Sequence, residues 1–435
     1  MKPDQRIEQL LGALGVERAY VGGSNLTELE PLLARAPGRF AAVTLVNTNR
    51  IAPAALSALG DRLTIVTGTS GLPASVVDAA EPELAQARIR RLPGYVTAAW
   101  SDMVADAPDI VLDAVCSHLD SSDVSALDPS DLPAEGEIEG ISYTIAGRGP
   151  PLVLLPLLLS PSQWAPILAS LAERFMVIQL GGAHLGMVAM LESRGGEPGY
   201  VRAVRSVFDE IAPTPGERIL EIGCGSGVLA RWIAAHTEGR NPILATDLNP
   251  FFLKEAAALS ARAGLAGTIE FDEANAEALP FDDGTVDIAF SSTVMEECDA
   301  HKMLAEMVRV TKPGGRIGVI VRATDAHSVC GVETEPDIRA IIEAPYRSIG
   351  EGGVADARLY ERFAASGLVG CSFFPHFLTL TNPEGAAWAY REPFFTGQFS
   401  EAQAARWAAD KERAVERGTF VFASGLHCAV GTKVR

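Results

Sequence analysis

The sequence has few cysteines, and it lacks close cysteine pairs and long apolar runs. Six cysteines are spread over 435 residues without a Cys-x-x-Cys pair, and their spacings fit no zinc site. Scattered single thiols suit a reducing compartment. The most apolar run, Leu152 to Leu159, is too short to span a bilayer, and the N-terminus has no apolar signal core. We therefore expect a cytoplasmic protein without a metal site or a membrane segment.

Basic residues are also scarce. The chain carries 36 Lys and Arg against 55 Asp and Glu, for a formal net charge of −19. Nucleic-acid affinity depends on neutralising phosphates, and anionic membranes repel an acidic surface. We expect neither partner. A small-molecule substrate remains by elimination, and a homodimer is compatible with the sequence.

Strand-like and helix-like patterns alternate in three regions of the chain, residues 1–120, 141–199 and 200–435. An acidic Ser/Pro/Gly-rich linker without periodicity, residues 121–140, separates the first two. Such alternation predicts an α/β fold with helix-covered, largely parallel sheets. The last region contains seven strand-like runs: RILEIG, PILATD, TIEFDEA, VDIAFSS, RIGVIVRA, FFPHFLTL and TFVFASGLHCAVGTK.

The most informative stretch is ILEIGCGSGVLARWI, which begins at Ile219. A strand meets glycines at 223, 225 and 227, and a helical pattern follows. Ligands of open α/β sheets bind at the carboxyl ends of the strands, where glycines allow sharp turns and close approach. For the dinucleotide fingerprint G-x-G-x-x-G the third glycine comes one residue early, since Val228 takes its place.

Downstream segments discriminate between the possible ligands. After EIGCGSG come TDLNP at 246–250, ANAEALPFDDGTVD at 274–287 and RVTKPGG at 309–315. Together and in this order, these segments resemble class I S-adenosylmethionine-dependent methyltransferases over residues 200–435. The resemblance implies a Rossmann-like domain with a seven-stranded mixed sheet and S-adenosyl-L-methionine as cofactor.

The resemblance also implies roles around the methionine part of the cofactor. Glu221 would orient the turn and the methionine ammonium. Gly223, Gly225 and Gly227 would let the backbone meet the methionine moiety, and Ser291 would lie near its amino-acid end.

The adenosine part would be held by the next two strand ends. Asp247 would accept hydrogen bonds from the ribose hydroxyls, and Leu248 would flank the adenine. Asn275 and Ala276 would lie at the adenine edge. The family usually has Asp where Asn275 stands, but an amide oxygen can still accept from the adenine amino group.

Methyl transfer needs alignment of the acceptor with the methyl group and exclusion of water, and an oxygen or carbon acceptor can also need a base. Relatives often carry His where Glu297 stands, so Glu297 is a candidate base or substrate anchor; the alternative is a solvated carboxylate. His327 is a second candidate base, and the alternative is a structural hydrogen bond. Insertions at 325–354 and 381–418 would shape the pocket, or form a cap with its own core.

The front of the chain resembles a different family. Gly22-Gly23-Ser24-Asn25-Leu26 follows a strand and resembles the α/β-hydrolase nucleophile elbow, with Leu26 in place of the final glycine. Residues 1–120 resemble the back half of that fold and residues 141–199 its front half. We therefore expect a circularly permuted, hydrolase-like lobe whose two regions pair in one sheet.

This lobe lacks a recognisable catalytic histidine. Arg90 to Trp100 contains none, and the nearest, His118, lies within the last helix of the region, so Ser24 has no obvious base. We expect the lobe to cover the methyltransferase pocket, bind a partner or mediate dimerisation. For the whole chain we expect methyl transfer to a small organic molecule, for example in specialised metabolism. The alternatives are another reaction with the same cofactor, such as a cyclisation, and a non-catalytic regulator.

Overall fold

The computed structural model describes residues 2–97, 101–119, 124–345 and 352–434. It divides into two compact units, Met1–Ala189 and Met190–Arg435. The boundary falls inside a helix, Gly186–Gly196, which we call α8. No helix in the described part of the chain is long and apolar enough to cross a membrane.

The first unit alternates strands with short helices. Its strands are β1 (Ala19–Gly23), β2 (Phe40–Val46), β3 (Leu63–Thr67), β4 (Ser70–Gly71), β5 (Arg88–Arg91), β6 (Val96–Thr97), β7 (Glu135–Ile138), β8 (Ile141–Ala146), β9 (Pro151–Leu154) and β10 (Met176–Gly181). Its helices before α8 are α1 (Pro3–Ala13), α2 (Glu30–Arg35), α3 (Pro53–Leu56), α4 (Leu72–Ala80), α5 (Met103–Asp106), α6 (Pro108–Cys116) and α7 (Ala165–Ala172). All seven residues of β2 are buried, as expected for a parallel strand covered on both faces.

Residues 1–120 and residues 141–199, which the permutation hypothesis expects to pair, contribute strands to one sheet. Its order in the described residues is β5-β3-β2-β1-β9-β10-β8-β7. The join is parallel pairing of β1 with β9, from Tyr20 opposite Leu152 to Gly22 opposite Leu154. The predicted linker ends in ordered structure, because β7 pairs with β8 at the sheet edge. The expected pairing of the two regions is therefore present, while the likeness to hydrolases stays a prediction.

The second unit carries the glycine-rich turn. Its strands are β11 (Ile219–Ile222), β12 (Ile243–Asp247), β13 (Ile269–Glu273), β14 (Val286–Ser292), β15 (Thr311–Arg322), β16 (Val329–Cys330), β17 (Leu368–Leu380) and β18 (Phe422–Lys433). Its helices after α8 are α9 (Pro198–Ile211), α10 (Val228–His236), α11 (Pro250–Arg262), α12 (Ala300–Val310), α13 (Pro336–Glu343), α14 (Arg358–Ala365), α15 (Ala386–Arg391), α16 (Pro393–Thr396) and α17 (Glu401–Glu416).

The sheet of this unit is mixed, as predicted. The strands β13-β12-β11-β14-β15 are parallel, and β18 lies antiparallel to β15, with β17 and β16 both antiparallel to β18. The described residues thus form eight strands where seven were expected. The additional strand is β16, which exists because β18 continues beyond its pairing with β15 and leaves an open edge at Phe422 and Ala423.

Helices cover both faces of this sheet. Helix α9 buries one stripe, in which Phe208 packs edge-on against Phe290 of β14 with ring centroids 5.1 Å apart. Helix α12 buries Met303 and Met307 in a second cluster with Val319. The run Pro313-Gly314-Gly315 lies in a bulge inside β15, because α12 ends at Val310 and the strand begins at Thr311.

The second insertion forms a cap with its own apolar core. Trp388 is 1% exposed, and its ring contacts the rings of Phe395, Trp407 and Phe420. Residues of both insertions contribute, since Ile338 and Ile342 of α13 belong to the same cluster. Residues 346–351 of the first insertion lie outside the described residues.

Candidate functional site

The three glycines build a tight turn at the carboxyl ends of β11 and β12. Gly223, Gly225 and Gly227 have φ values of +74°, +53° and +73°, which other residues adopt only at a cost. The Gly223 and Cys224 N–H groups both donate to the Thr246 carbonyl, at 2.7 and 2.8 Å. A Cβ at Gly223 would lie 2.2 Å from Val294, so neighbouring side chains as well as backbone conformation require glycine there.

Asp247 ties this turn to the end of β12. Its Oδ2 accepts a hydrogen bond from the Gly225 N–H at 2.8 Å, and its Oδ1 accepts one from the Asn249 N–H at 2.9 Å. Burial raises the pKa of Asp247, and these backbone donors act against the rise. The sequence predicted a ribose contact here. The structure adds a positioning role, because the same carboxylate holds the loop in place.

Glu221 is a buried carboxyl group with unused hydrogen-bonding capacity. The residue is 2% exposed, and its Oε2 has no hydrogen-bond partner among the described residues. Burial, together with the negative charge of Asp247, raises the pKa of Glu221 to about 8. A buried, unpaired polar oxygen is costly unless a ligand completes it. An ammonium group is the chemical partner that this position suits.

The residues predicted for the adenosine part lie together beside Asp247. The Ala274 N–H donates to the Asp247 carbonyl at 3.1 Å, which brings the chain after β13 to the end of β12. Leu248 is 63% exposed, so its side chain is accessible to a ligand at this strand end. Asn275 is exposed, and its Oδ1 accepts from the Glu277 N–H at 2.9 Å. Ala276 is half-buried.

Ser291 lies inside the sheet. It is fully buried, and its hydroxyl donates to the Ile222 carbonyl at 2.9 Å. This bond satisfies the last carbonyl of β11 where the chain leaves the strand to form the turn. The Ser291 side chain therefore stabilises the start of the turn through this hydrogen bond.

An additional network anchors the turn to α8. Glu192 accepts from the Ser226 hydroxyl and from an Arg231 guanidinium nitrogen, each at 2.5 Å. A second Arg231 nitrogen donates to the Ser226 carbonyl at 2.9 Å. Sequence reasoning missed this network, since the polar serine inside the glycine run was its only local signal.

Glu297 is half-exposed and forms an ion pair with Arg322 at the end of β15. The neighbouring Glu296, which sequence reasoning missed, is fully buried and pairs with the same guanidinium. It also accepts from the Arg322 N–H at 3.0 Å. Burial raises the pKa of Glu296, and the Arg322 charge opposes that rise. The structure thus brings Glu297 to the ends of β14 and β15 and holds it through arginine.

His327 is exposed, and its Nδ1 lies 3.1 Å from the Glu343 carbonyl oxygen. This contact favours the structural alternative for His327.

A different histidine, His427, pairs with a carboxylate, and sequence reasoning missed this pair. Its Nε2 lies 2.6 Å from Asp325 Oδ1. Burial acts to raise the pKa of Asp325, but the hydrogen bonds from His427 and from the Ala357 N–H hold it below its usual value.

A small cleft of about 70 Å³ lies at the carboxyl ends of β14 and β15. Thr293, Arg322, Tyr200 and Tyr390 form part of its wall. Thr293 has φ +59°, an unfavourable conformation for a β-branched residue, of the kind that is frequent at functional sites. The next residue, Val294, contacts the glycine turn, so the cleft and the turn are neighbours.

Part of the second unit is similar in sequence to known proteins. Residues 219–315 match the family model of a methyltransferase domain. An uncharacterized protein of Mycobacterium tuberculosis (strain H37Rv) is 40% identical over 107 residues, 24% of this chain and 37% of that protein. The ubiquinone/menaquinone biosynthesis C-methyltransferase UbiE of a Marinomonas species (strain MWYL1) is 37% identical over 117 residues, 27% of this chain and 47% of that protein.

Among solved structures, the YcgJ protein of Bacillus subtilis is similar with a TM-score of 0.37 and 15% identity, covering 54% of this chain and 99% of that one. The chain spans less than half the length of the two curated relatives. The family match nevertheless includes Glu221, the glycine turn, Asp247, Asn275 and Ser291. The second unit therefore contains a methyltransferase-like segment at the predicted cofactor site.

Proposed function

We propose that the protein is an S-adenosyl-L-methionine-dependent methyltransferase that acts on a small organic molecule. The observation that carries this proposal is the buried Glu221 oxygen, which lacks a hydrogen-bond partner among the described residues beside a turn of three glycines. The methionine ammonium would favour the ionised form of Glu221 and pair with it, whereas a dinucleotide phosphate, itself an anion, would gain no such partner there. The family match over residues 219–315 supports the same conclusion.

The residues present fit this cofactor. Glu221 would pair with the ammonium, and the Gly223–Gly227 turn would admit the methionine chain. Asp247 keeps lone pairs for the ribose hydroxyls beside its two backbone hydrogen bonds. Leu248, Asn275 and Ala276 would surround the adenine. When bound, the cofactor supplies a methyl group that its sulfonium already activates.

The chain itself supplies positioning and exclusion of water. We propose that the acceptor occupies the cleft beside Thr293 and Arg322, at the strand ends that adjoin the turn. Glu297, held by Arg322, is our candidate for receiving a proton from the acceptor or anchoring it. We give His327 second place as a candidate base, since its Nδ1 is hydrogen-bonded to the Glu343 carbonyl, although the next residue, Ser328, lines the cleft.

We also propose that the first unit is a permuted, hydrolase-like lobe without hydrolase activity. The pairing of β1 with β9 supports the permutation, and Ser24 is buried directly after β1. His118 is buried as well, and its Nε2 lies 2.8 Å from the Thr64 hydroxyl in β3. Burial lowers the pKa of His118. We therefore propose a packing role for His118.

Titration calorimetry with S-adenosylhomocysteine, followed by a methyl-release assay over a metabolite panel, tests the proposal. We expect saturable cofactor binding, and S-adenosylhomocysteine production with a small-molecule acceptor. Failure to bind either form of the cofactor would overturn the proposal. Binding without product on any acceptor would favour another reaction of the same cofactor or a regulatory role.

A further inference from the structure

We infer that the cleft beside the turn binds an organic anion: an apolar body that carries a carboxylate or phosphate group held by Arg194 and Arg391. This inference rests on the proposed function, since the anion would be the methyl acceptor. It goes further by naming the chemical class of the acceptor and the two residues that recognise it.

The charge of the cleft wall is the first observation. Three arginines line it, Arg194, Arg322 and Arg391, and no Asp or Glu does so among the described residues. Glu296 and Glu297 balance the charge of Arg322. The wall of the cleft thus presents arginines without a carboxylate among its described lining residues, on a chain whose formal net charge is −19. Such a local reversal attracts anions.

Arg194 is oriented by an aromatic ring and, among the described residues, has an unsatisfied hydrogen-bond donor. Its guanidinium lies over the ring of Tyr200, 5.1 Å from the centroid, and the Tyr200 hydroxyl is 2.6 Å from the Ser292 hydroxyl. Its buried Nε has no hydrogen-bond partner among the described residues. The stacking fixes the plane of the guanidinium fork, and a planar fork matches a carboxylate or phosphate. A bound anion would complete the unsatisfied donor.

Arg391 approaches the cleft from α15. Its guanidinium lies 5.4 Å from the ring centroid of Phe422 and 5.8 Å from that of Phe394, so aromatic rings also orient this side chain. Leu378, Leu380 and Leu426 form much of the remaining wall. A charged end beside arginines and an apolar remainder define an amphipathic organic anion, in contrast to a small inorganic ion or a neutral sugar.

Matched probes test this inference on the full-length protein with saturating S-adenosylhomocysteine. The probes are 4-phenylbutyrate, 4-phenylbutyl phosphate and the uncharged 4-phenylbutyramide, with affinity measured by titration calorimetry. We expect one or both anions to bind about tenfold more tightly than the amide, as charge-assisted hydrogen bonds imply. Comparison of the two anions shows which head group the arginines prefer.

Arg194→Gln and Arg391→Gln should each remove most of this preference. Arg417→Gln is the matched control, since it deletes the same charge from a side chain that is 65% exposed at the end of α17. S-adenosylhomocysteine affinity should stay unchanged in all three variants, which shows that they fold.

Two outcomes would overturn the inference. One is equal binding of anion and amide, or no anion binding. The other is an equal loss in the Arg417→Gln variant, because a general charge effect would then explain the preference. If the unmodified chain does not bind S-adenosylhomocysteine, the proposed function is wrong instead. Repeating the probe titrations without cofactor then tests anion binding separately, so that the failure of one proposal is distinguishable from the failure of the other.

Discussion

Cofactor binding should release a proton from Glu221. With its pKa raised to about 8, this carboxyl group is about nine-tenths protonated at pH 7 in the ligand-free protein. An ammonium placed against the buried oxygen stabilises the carboxylate and lowers that pKa. We therefore expect release of about 0.9 proton per bound cofactor at pH 7, about half a proton at pH 8 and almost none at pH 9.

Titration calorimetry in two buffers measures this number. S-adenosylhomocysteine is titrated at pH 7 in phosphate and in Tris, whose ionisation enthalpies differ widely. The difference in observed binding enthalpy, divided by the difference in buffer ionisation enthalpy, is the number of protons released. Glu221→Gln removes the titrating group and should abolish the buffer dependence. Glu273→Gln replaces an exposed glutamate at the end of β13 by glutamine and should leave the buffer dependence of the binding enthalpy unchanged.

The reasoning is wrong if the wild-type enthalpy is the same in both buffers, or if proton release survives in Glu221→Gln. An independent check uses the ligand-free protein. A carboxyl group with a raised pKa in the folded state binds its proton more tightly there than in the unfolded chain. Stability should therefore fall as pH rises from about 4.5 to about 8, by up to ~1.4 kcal/mol per pH unit, and Glu221→Gln should flatten this slope in urea titrations.

Further predictions concern the turn and the carboxylates beside it. Gly223→Ala should cost ~2–4 kcal/mol in urea unfolding, because it adds a clash to the strain of φ +74°. Gly264→Ala has the same φ and no atom within 4 Å among the described residues, so it should cost only ~1–2 kcal/mol; equal losses would contradict the packing argument. Glu296→Gln should destabilise by ~3–5 kcal/mol as a buried ion-pair partner, and the half-exposed Glu297→Gln by less than ~1 kcal/mol; the reverse order in urea titrations would show that burial is not decisive. Asp247→Asn replaces an accepting oxygen with a donor that faces a backbone N–H, so S-adenosylhomocysteine affinity should fall by about 5- to 150-fold; an unchanged dissociation constant would remove Asp247 from the site.

The sequence alone determined the strands of the second unit and the turn between β11 and α10. All seven predicted strands are present, because alternating and continuous apolar runs between glycines are local signals. The turn was recognisable for the same reason, since Gly223, Gly225 and Gly227 adopt conformations that few other residues tolerate. Asp247 could be placed near that turn because parallel strands end at one edge of a sheet, whereas Asn275 was placed there only by the resemblance to methyltransferases.

Only the tertiary structure decided what these side chains touch. The Ser291 side chain points into the sheet and donates a hydrogen bond to the Ile222 carbonyl. Glu296 and Glu297 form ion pairs with Arg322, which is distant from them in sequence. The same is true of the cleft, whose Arg194 and Arg391 are 197 residues apart in sequence (391 − 194). Periodicity and turn chemistry act over a few residues, whereas burial, ion pairing and pKa depend on neighbours that only the folded chain assembles.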